Sequence, residues 1–219
     1  MKLSKRITSG HILWLKLALH GIALYLLVTT FYRAFNDLLG VDPVQELLHF
    51  TGISAFNLLL LSLCISPFSK FVRQGQFLTL RRPIGIYAFV YALCHFSTYL
   101  VFELQLEWSL LFSEILKRPY ITVGICALFI LTVLTATSTR SIQRRMGKAW
   151  QKTHNWVYFA SLLIVIHYFW SVKSSLIQPM FYVLAVFVLL LVRRNKFVKP
   201  LKSALQKRTK TKQNKKKLA

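Results

Sequence analysis

Six long stretches of the sequence are apolar and nearly free of charge, and this segregation constrains the fold more than any other feature. A helix needs about 20 mostly apolar residues to cross the hydrocarbon core of a bilayer. The stretches that meet or approach this length are 12–32, 48–68, 83–103, 119–138, 153–172 and 178–192. The sequence therefore predicts an all-α, polytopic membrane protein, a six-helix bundle whose short connections favour antiparallel neighbours.

Charges of opposite sign are divided between the two predicted membrane surfaces. The chain has 29 Lys and Arg residues but only six acidic ones, and all six acids fall in the connections 34–47 and 103–116. Basic residues crowd instead into the segments 2–6, 70–82, 140–152 and 193–217. Because cytoplasmic loops are enriched in Lys and Arg, both termini are predicted to be cytoplasmic.

Residues 1–192 are predicted to form one transmembrane domain, followed by a basic, disordered cytoplasmic tail at 193–219. Each Lys or Arg near an anionic lipid surface contributes about 1 kcal/mol, so the tail is expected to lie against membrane lipid. The net charge of +23 would also suit nucleic acid, but its placement beside the predicted spans argues against that partner. The first apolar stretch is too long for a signal peptide and lacks a small-residue cleavage site, so we expect a retained helix.

Proline residues mark several predicted helix boundaries. Asp42-Pro43 precedes the second helix, and Ser66-Pro67 is predicted to end it. Pro119 and Pro179 lie in the first turns of the fourth and sixth helices, where a missing N–H costs little.

Histidine side chains inside the predicted spans are the main candidates for chemistry, because an unsatisfied polar group is costly in a bilayer. From the cytoplasmic ends of their helices, His95 lies about 18 Å into the third and His167 about 21 Å into the fifth. Two imidazoles at matched depth on parallel helices are what axial ligation of one haem iron requires. A metal-free, hydrogen-bonded histidine pair is the alternative that the residues leave open.

Three further histidines are weaker candidates. His154 opens the fifth stretch, but the residues 81–83 of the third stretch are Arg-Arg-Pro and offer no partner for a second haem. His154 is therefore a candidate for contact with a haem or with another cofactor, or for capping its helix. His20 in the first helix and His49 at the outer start of the second are candidates for contact with a cofactor or a quinone, with a structural hydrogen bond as the alternative.

Several other chemistries lack their motifs in this sequence. There is no GxGxxG or Walker loop, no HExxH and no GxSxG. Carboxylates within the spans, which a proton-coupled transporter would use, are also absent, and we detect no repeat symmetry between the halves. These absences weaken the alternative of a small six-helix transporter or channel. A third interpretation is an assembly factor that binds a labile metal.

The sequence resembles the haem-binding membrane subunits of bacterial methionine sulfoxide reductase systems, a family among the ferric-reductase-like transmembrane domains. The stretches that carry the resemblance are WLKLALH (14–20), DPVQELLHFTG (42–52), RRPIG with the following helix (81–100), KRPYITVGI (117–125) and TSTRSIQRRMGKAWQKTHNWVYFASLLIVIHYFWSVKS (137–174). Together they extend over most of residues 13–192.

The resemblance implies an electron-transfer subunit in the bacterial inner membrane. Members of the family carry haem b and FMN, and they take electrons from the quinone pool or a cytosolic flavin reductase. They pass electrons to a soluble periplasmic molybdenum-containing reductase that repairs methionine sulfoxide, so no substrate-reducing site is expected in this chain itself. The family's haem-associated histidines match His95, His154 and His167.

Overall fold

The computed structural model describes residues 8–172 and 175–193. All regular secondary structure within these residues is helical. The α-helices are α1 (Ser9–Phe35), α2 (Pro43–Phe71), α3 (Arg81–Thr98), α4 (Trp108–Lys117), α5 (Pro119–Ala136), α6 (Arg140–Met146), α7 (Lys148–His154), α8 (Trp156–Ser171) and α9 (Ile177–Val192). A 3-10 helix, Gly75–Leu80, leads into α3, and a π-helical segment, Tyr99–Glu103, extends it. Apart from Arg193, the predicted tail 193–219 lies outside the described residues, as do the basic residues 2–6.

The all-α class is confirmed, but the count of six membrane-spanning helices is not. Four helical runs are long and apolar enough to cross a membrane: Ser9–Phe35, Pro43–Phe71, Gly75–Glu103 and Pro119–Ala136. At about 1.5 Å per residue, the 16-residue helices α8 and α9 are shorter than a hydrocarbon core of about 30 Å. The predicted connections also contain the short helices α4, α6 and α7, because hydropathy marks apolar length and not helicity.

Helix α2 lies at the centre of the bundle. One buried cluster joins α2, α3, α5 and α8 through Leu59, Ala88, Leu131, Leu134 and Ala160. A second cluster joins α1 to α2 and α3, and a third joins α2 to α8 and α9. Ala88 and Ala160 are fully buried, which lets the helix backbones approach closely. The most extensive helix contacts are those of α2 with α3 and of α5 with α8.

The outer faces of α1 and α9 carry large exposed apolar side chains. Examples are Trp14, Ile22, Phe181 and Phe187, each more than half exposed. An apolar surface this extensive is not stable in water, whereas it is matched by lipid. The chain is therefore a multi-pass membrane protein.

Pro67 does not end α2, contrary to the sequence prediction. The helix continues through Pro67 to Phe71. A proline cannot donate to the carbonyl four residues earlier, which here belongs to Leu63. The guanidinium of Arg193, at the end of α9, donates to that carbonyl oxygen and to the Tyr158 hydroxyl. Because Arg193 satisfies the acceptor that Pro67 leaves free, the helix does not have to stop.

The other proline boundaries, Pro43, Pro119 and Pro179, are confirmed.

Replacing Arg193 by Ala is expected to destabilise the protein, since a buried carbonyl without a donor costs about 1–3 kcal/mol. Adding Pro67→Ala supplies an N–H to Leu63 and should restore part of that loss. Stability would be measured by thermal unfolding in detergent, with Arg82→Ala, a change at an exposed arginine, as the matched control. Pro67→Ala would be made both alone and together with Arg193→Ala. If it raises the stability of the Arg193→Ala variant no more than that of the wild type, this interpretation is contradicted.

Candidate metal centre

The side chains of His95 and His167 lie next to each other, between the α2–α3 pair and the α5–α8 pair. His95 lies in the last turn of α3, and His167 lies near the end of α8. Their ring centres are 6.3 Å apart, and the two ring planes are inclined at 82°. The structure therefore brings together the two histidines that matched depth singles out in the sequence.

Each of the two imidazoles donates a hydrogen bond to a helix backbone. His95 Nδ1 lies 2.9 Å from the Leu48 carbonyl oxygen in α2, and His167 Nδ1 lies 2.7 Å from the Tyr120 carbonyl oxygen in α5. Because a carbonyl oxygen only accepts, the proton of each neutral ring must be on Nδ1. The lone pair on each Nε2 is then available to bind a metal ion.

The separation of the rings suits one metal ion between them. An imidazole nitrogen binds a metal at about 2 Å and lies about 1.1 Å from its ring centre, so two axial imidazoles place their ring centres about 6 Å apart. Among the described residues, no group of three or more His, Cys, Asp or Glu side chains could hold a metal ion. A metal that brings its own equatorial ligands, as haem iron does, needs only the two histidines.

His154 is arranged differently from the pair. It ends α7, where its ring stacks on Trp150 with 4.1 Å between ring centres. The Thr137 hydroxyl directs its proton to the Val133 carbonyl oxygen at 2.7 Å, so it accepts from His154 Nε2 at 3.2 Å. The Nε2 atom of His154 is therefore already engaged with the protein.

The remaining candidate histidines, His20 and His49, lie away from the pair. His20 in α1 makes a hydrogen bond of 2.8 Å between its Nδ1 and the Tyr87 hydroxyl, which ties α1 to α3. His49 lies on an exposed part of α2, in its second turn and not at its start. No hydrogen bond or ring contact joins either side chain to His95 or His167.

Two arginines that the sequence analysis did not single out lie at the opposite end of the helices. The Nε atoms of Arg81 and Arg193 are buried and have no hydrogen-bond partner. The two guanidinium groups are close enough to interact electrostatically, and Arg81 also interacts with His154. All six acidic residues lie between positions 37 and 114 near the other end, so no side-chain carboxylate neutralises this pair. Sequence alone does not separate these arginines from the many exposed ones nearby.

Comparison with known proteins places the fold in a defined class. Residues 51–165 match the family described as ferric reductase like transmembrane component. That match begins within α2, extends over α3 and α5 and ends within α8, so it includes His95 and stops before His167. The chain is thus a member of the ferric-reductase-like transmembrane proteins.

Individual relatives define the group more narrowly. The chain is 40% identical to the protein-methionine-sulfoxide reductase heme-binding subunit MsrQ of Salmonella arizonae over 193 residues, 88% of this chain and 97% of the relative. It is 42% identical to the protein of the same name from Cronobacter sakazakii over 192 residues, 87% of this chain and 96% of the relative. No solved structure matches the chain significantly. Within the wider class, the chain belongs to the MsrQ family.

Proposed function

We propose that this protein is a membrane electron-transfer subunit whose haem b is held by His95 and His167. The observation that carries the proposal is the histidine pair itself, with ring centres 6.3 Å apart and both Nδ1 atoms bound to backbone carbonyls. This arrangement leaves two Nε2 lone pairs for one iron. Haem bound in this way supplies reversible one-electron transfer. His95 and His167 would hold the iron, and the carbonyls of Leu48 and Tyr120 fix the imidazole tautomers.

The charge distribution and the names of the relatives support a direction for the proposed electron flow. Their names describe a heme-binding subunit of a methionine sulfoxide reductase. With the basic helix ends cytoplasmic, the histidine pair lies in the outer half of the bacterial inner membrane. Electrons then enter from the quinone pool or from a cytosolic flavin reductase. They leave toward a periplasmic molybdenum-containing reductase, which carries the substrate-reducing site.

Replacement of His95 or His167 by Ala is expected to abolish low-spin haem, because either change removes an axial ligand. His154→Ala should retain most of the haem, since its Nε2 is engaged by Thr137. His49→Ala, at an exposed position, is the control. The measurement is the visible spectrum of the purified protein before and after dithionite reduction. A colourless wild-type protein, produced with ample haem, would refute the electron-transfer proposal. Equal and complete loss in all three candidate variants would refute the choice of ligands.

We further propose that FMN, the second cofactor implied by the family resemblance, binds at the basic end beside Arg81, Arg193 and His154. Arg193 is buried and Arg81 is half-buried, and neither has a carboxylate partner. In a medium of low polarity, two such guanidinium groups need a compensating anion. The phosphate of FMN is such an anion, and Arg binds phosphate through several N–H groups at once. A cofactor at this end would lie between a cytoplasmic electron donor and the histidine pair.

Arg81→Gln is expected to lower the FMN retained on purification by about tenfold or more, since a hydrogen bond to a charged group contributes roughly 1.5–3 kcal/mol. The adjacent Arg82 is exposed, so Arg82→Gln is the matched control. Flavin would be released with acid and measured by fluorescence against the protein concentration. Equal flavin in both variants, or none in the wild type, would contradict this placement.

The exposed carboxylates near the histidine pair are the proposed docking surface for the periplasmic reductase. Asp37, Glu103 and Glu107 are all exposed. Their joint replacement by Asn, Gln and Gln should slow electron delivery to the reductase about tenfold at low ionic strength and weaken its salt dependence. Stopped-flow oxidation of the reduced haem by the reductase measures this rate, with Lys70→Gln at the basic end as control. An unchanged rate and salt dependence would exclude these residues from docking.

A further inference from the structure

Gly52 in α2 and Gly124 in α5 lie directly against the rings of His95 and His167. A Cβ atom built on Gly52 would lie 3.0 Å from His95 Nδ1 and 3.1 Å from its Cε1. On Gly124, a Cβ atom would lie 2.8 Å from His167 Nδ1 and 2.9 Å from its Cε1. Both sets of distances are shorter than ordinary van der Waals contact. In each case the ring edge occupies the space that a side chain would otherwise fill.

The two glycines have the same relation to the carbonyls that accept the imidazole protons. Leu48 is four residues before Gly52, and Tyr120 is four residues before Gly124. In an α-helix the carbonyl of residue i accepts the N–H of residue i+4 and therefore lies alongside that residue. Its second lone pair remains free, but a Cβ at i+4 obstructs the approach of a second donor. Glycine at i+4 removes the obstruction.

The same arrangement occurs in both halves of the chain. Each histidine is separated from its accepting carbonyl by 47 positions, and in each case the intervening chain forms a helix hairpin, α2 with α3 or α5 with α8. The two hairpins therefore share one local geometry around their histidines. An unrelated packing accident would not produce the same carbonyl, glycine and histidine geometry at both positions.

We propose that Gly52 and Gly124 are positioning residues that open a backbone carbonyl to each imidazole and thereby fix the tautomer and plane of the ring. The role rests on the proposed haem ligation, because its consequence is the presentation of both Nε2 atoms to one iron. The carbonyl determines which nitrogen carries the proton. The glycine determines how closely the ring edge approaches the helix.

Gly124→Ala is expected to push the His167 ring away from the Tyr120 carbonyl, because the new Cβ would overlap Nδ1. Loss of such a supporting contact typically weakens metal binding about 10–100-fold. The reduced haem of the variant should bind carbon monoxide, since a loosened His167 can be displaced, and its low-spin electron paramagnetic resonance spectrum should shift as the ring reorients. Gly52→Ala should show the same changes to a smaller extent because its contacts are less short. Alanine is also the better helix former, so α2 and α5 themselves are not weakened.

Gly21→Ala is the matched control, since a Cβ on this glycine of α1 meets nothing within 4 Å. We expect the largest change in carbon monoxide binding and in the resonance spectrum for Gly124→Ala, a smaller change for Gly52→Ala and none for Gly21→Ala. If wild type and both ring-facing variants are equally unreactive toward carbon monoxide and give the same resonance spectrum, the positioning role is overturned. If Gly124→Ala fails to accumulate, the comparison of Gly52→Ala with Gly21→Ala decides by the same criteria.

A second readout does not depend on haem and separates this inference from the proposed function. Nitrogen-15 resonances of labelled histidine in the haem-free protein report which ring nitrogen is protonated. In the wild type the rings of His95 and His167 should both carry the proton on Nδ1. In Gly124→Ala the ring of His167 should no longer be held in this tautomer. Retention of both protonated Nδ1 atoms in Gly124→Ala would overturn the inference. A wild-type protein that binds no haem yet shows both protonated Nδ1 atoms would overturn only the electron-transfer proposal.

Discussion

The hydrogen bond from an imidazole Nδ1 to a helix carbonyl is the interaction on which the centre of this protein depends. It occurs twice, to Leu48 in α2 and to Tyr120 in α5. In each case it puts the proton on Nδ1, orients the ring and leaves Nε2 directed elsewhere. Because the acceptors are backbone atoms within long helices, they are held far more rigidly than side-chain partners would be. The geometry of the pair is thus a property of the helix packing.

The two ends of the bundle have opposite electrostatic character. The acids lie toward the end that holds the histidine pair, whereas the half-buried Arg81 and the buried Arg193 lie at the other end without carboxylate partners. Burial of a charge is costly unless it is compensated. Arg193 recovers part of that cost by satisfying the carbonyl that Pro67 leaves free and by bonding to Tyr158. Its Nε atom and that of Arg81 have no hydrogen-bond partner, and this supports the proposal of an anionic cofactor at this end.

Local patterns in the sequence predicted much of the fold. The predictions that were wrong failed for physical reasons. The starts of α2 and α5 at Pro43 and Pro119 were predictable, because proline is accommodated in a first helical turn. The continuation of α2 through Pro67 was not, since its compensating donor comes from Arg193, far away in sequence. The convergence of His95 and His167 could be anticipated from depth alone. The engagement of His154 by Thr137 could not, because it depends on how the end of α7 meets the end of α5.

The sequence by itself determined that this chain is helical, lies in a membrane and carries histidines at a common depth. Those properties follow from the length of apolar stretches and from the segregation of charge, both of which are linear along the chain. Only the tertiary structure decided which nitrogen of each ring is free, and that Gly52 and Gly124 make room for the rings. These features depend on contacts between helices. The sequence does not show which imidazole ring will approach a given carbonyl oxygen or glycine.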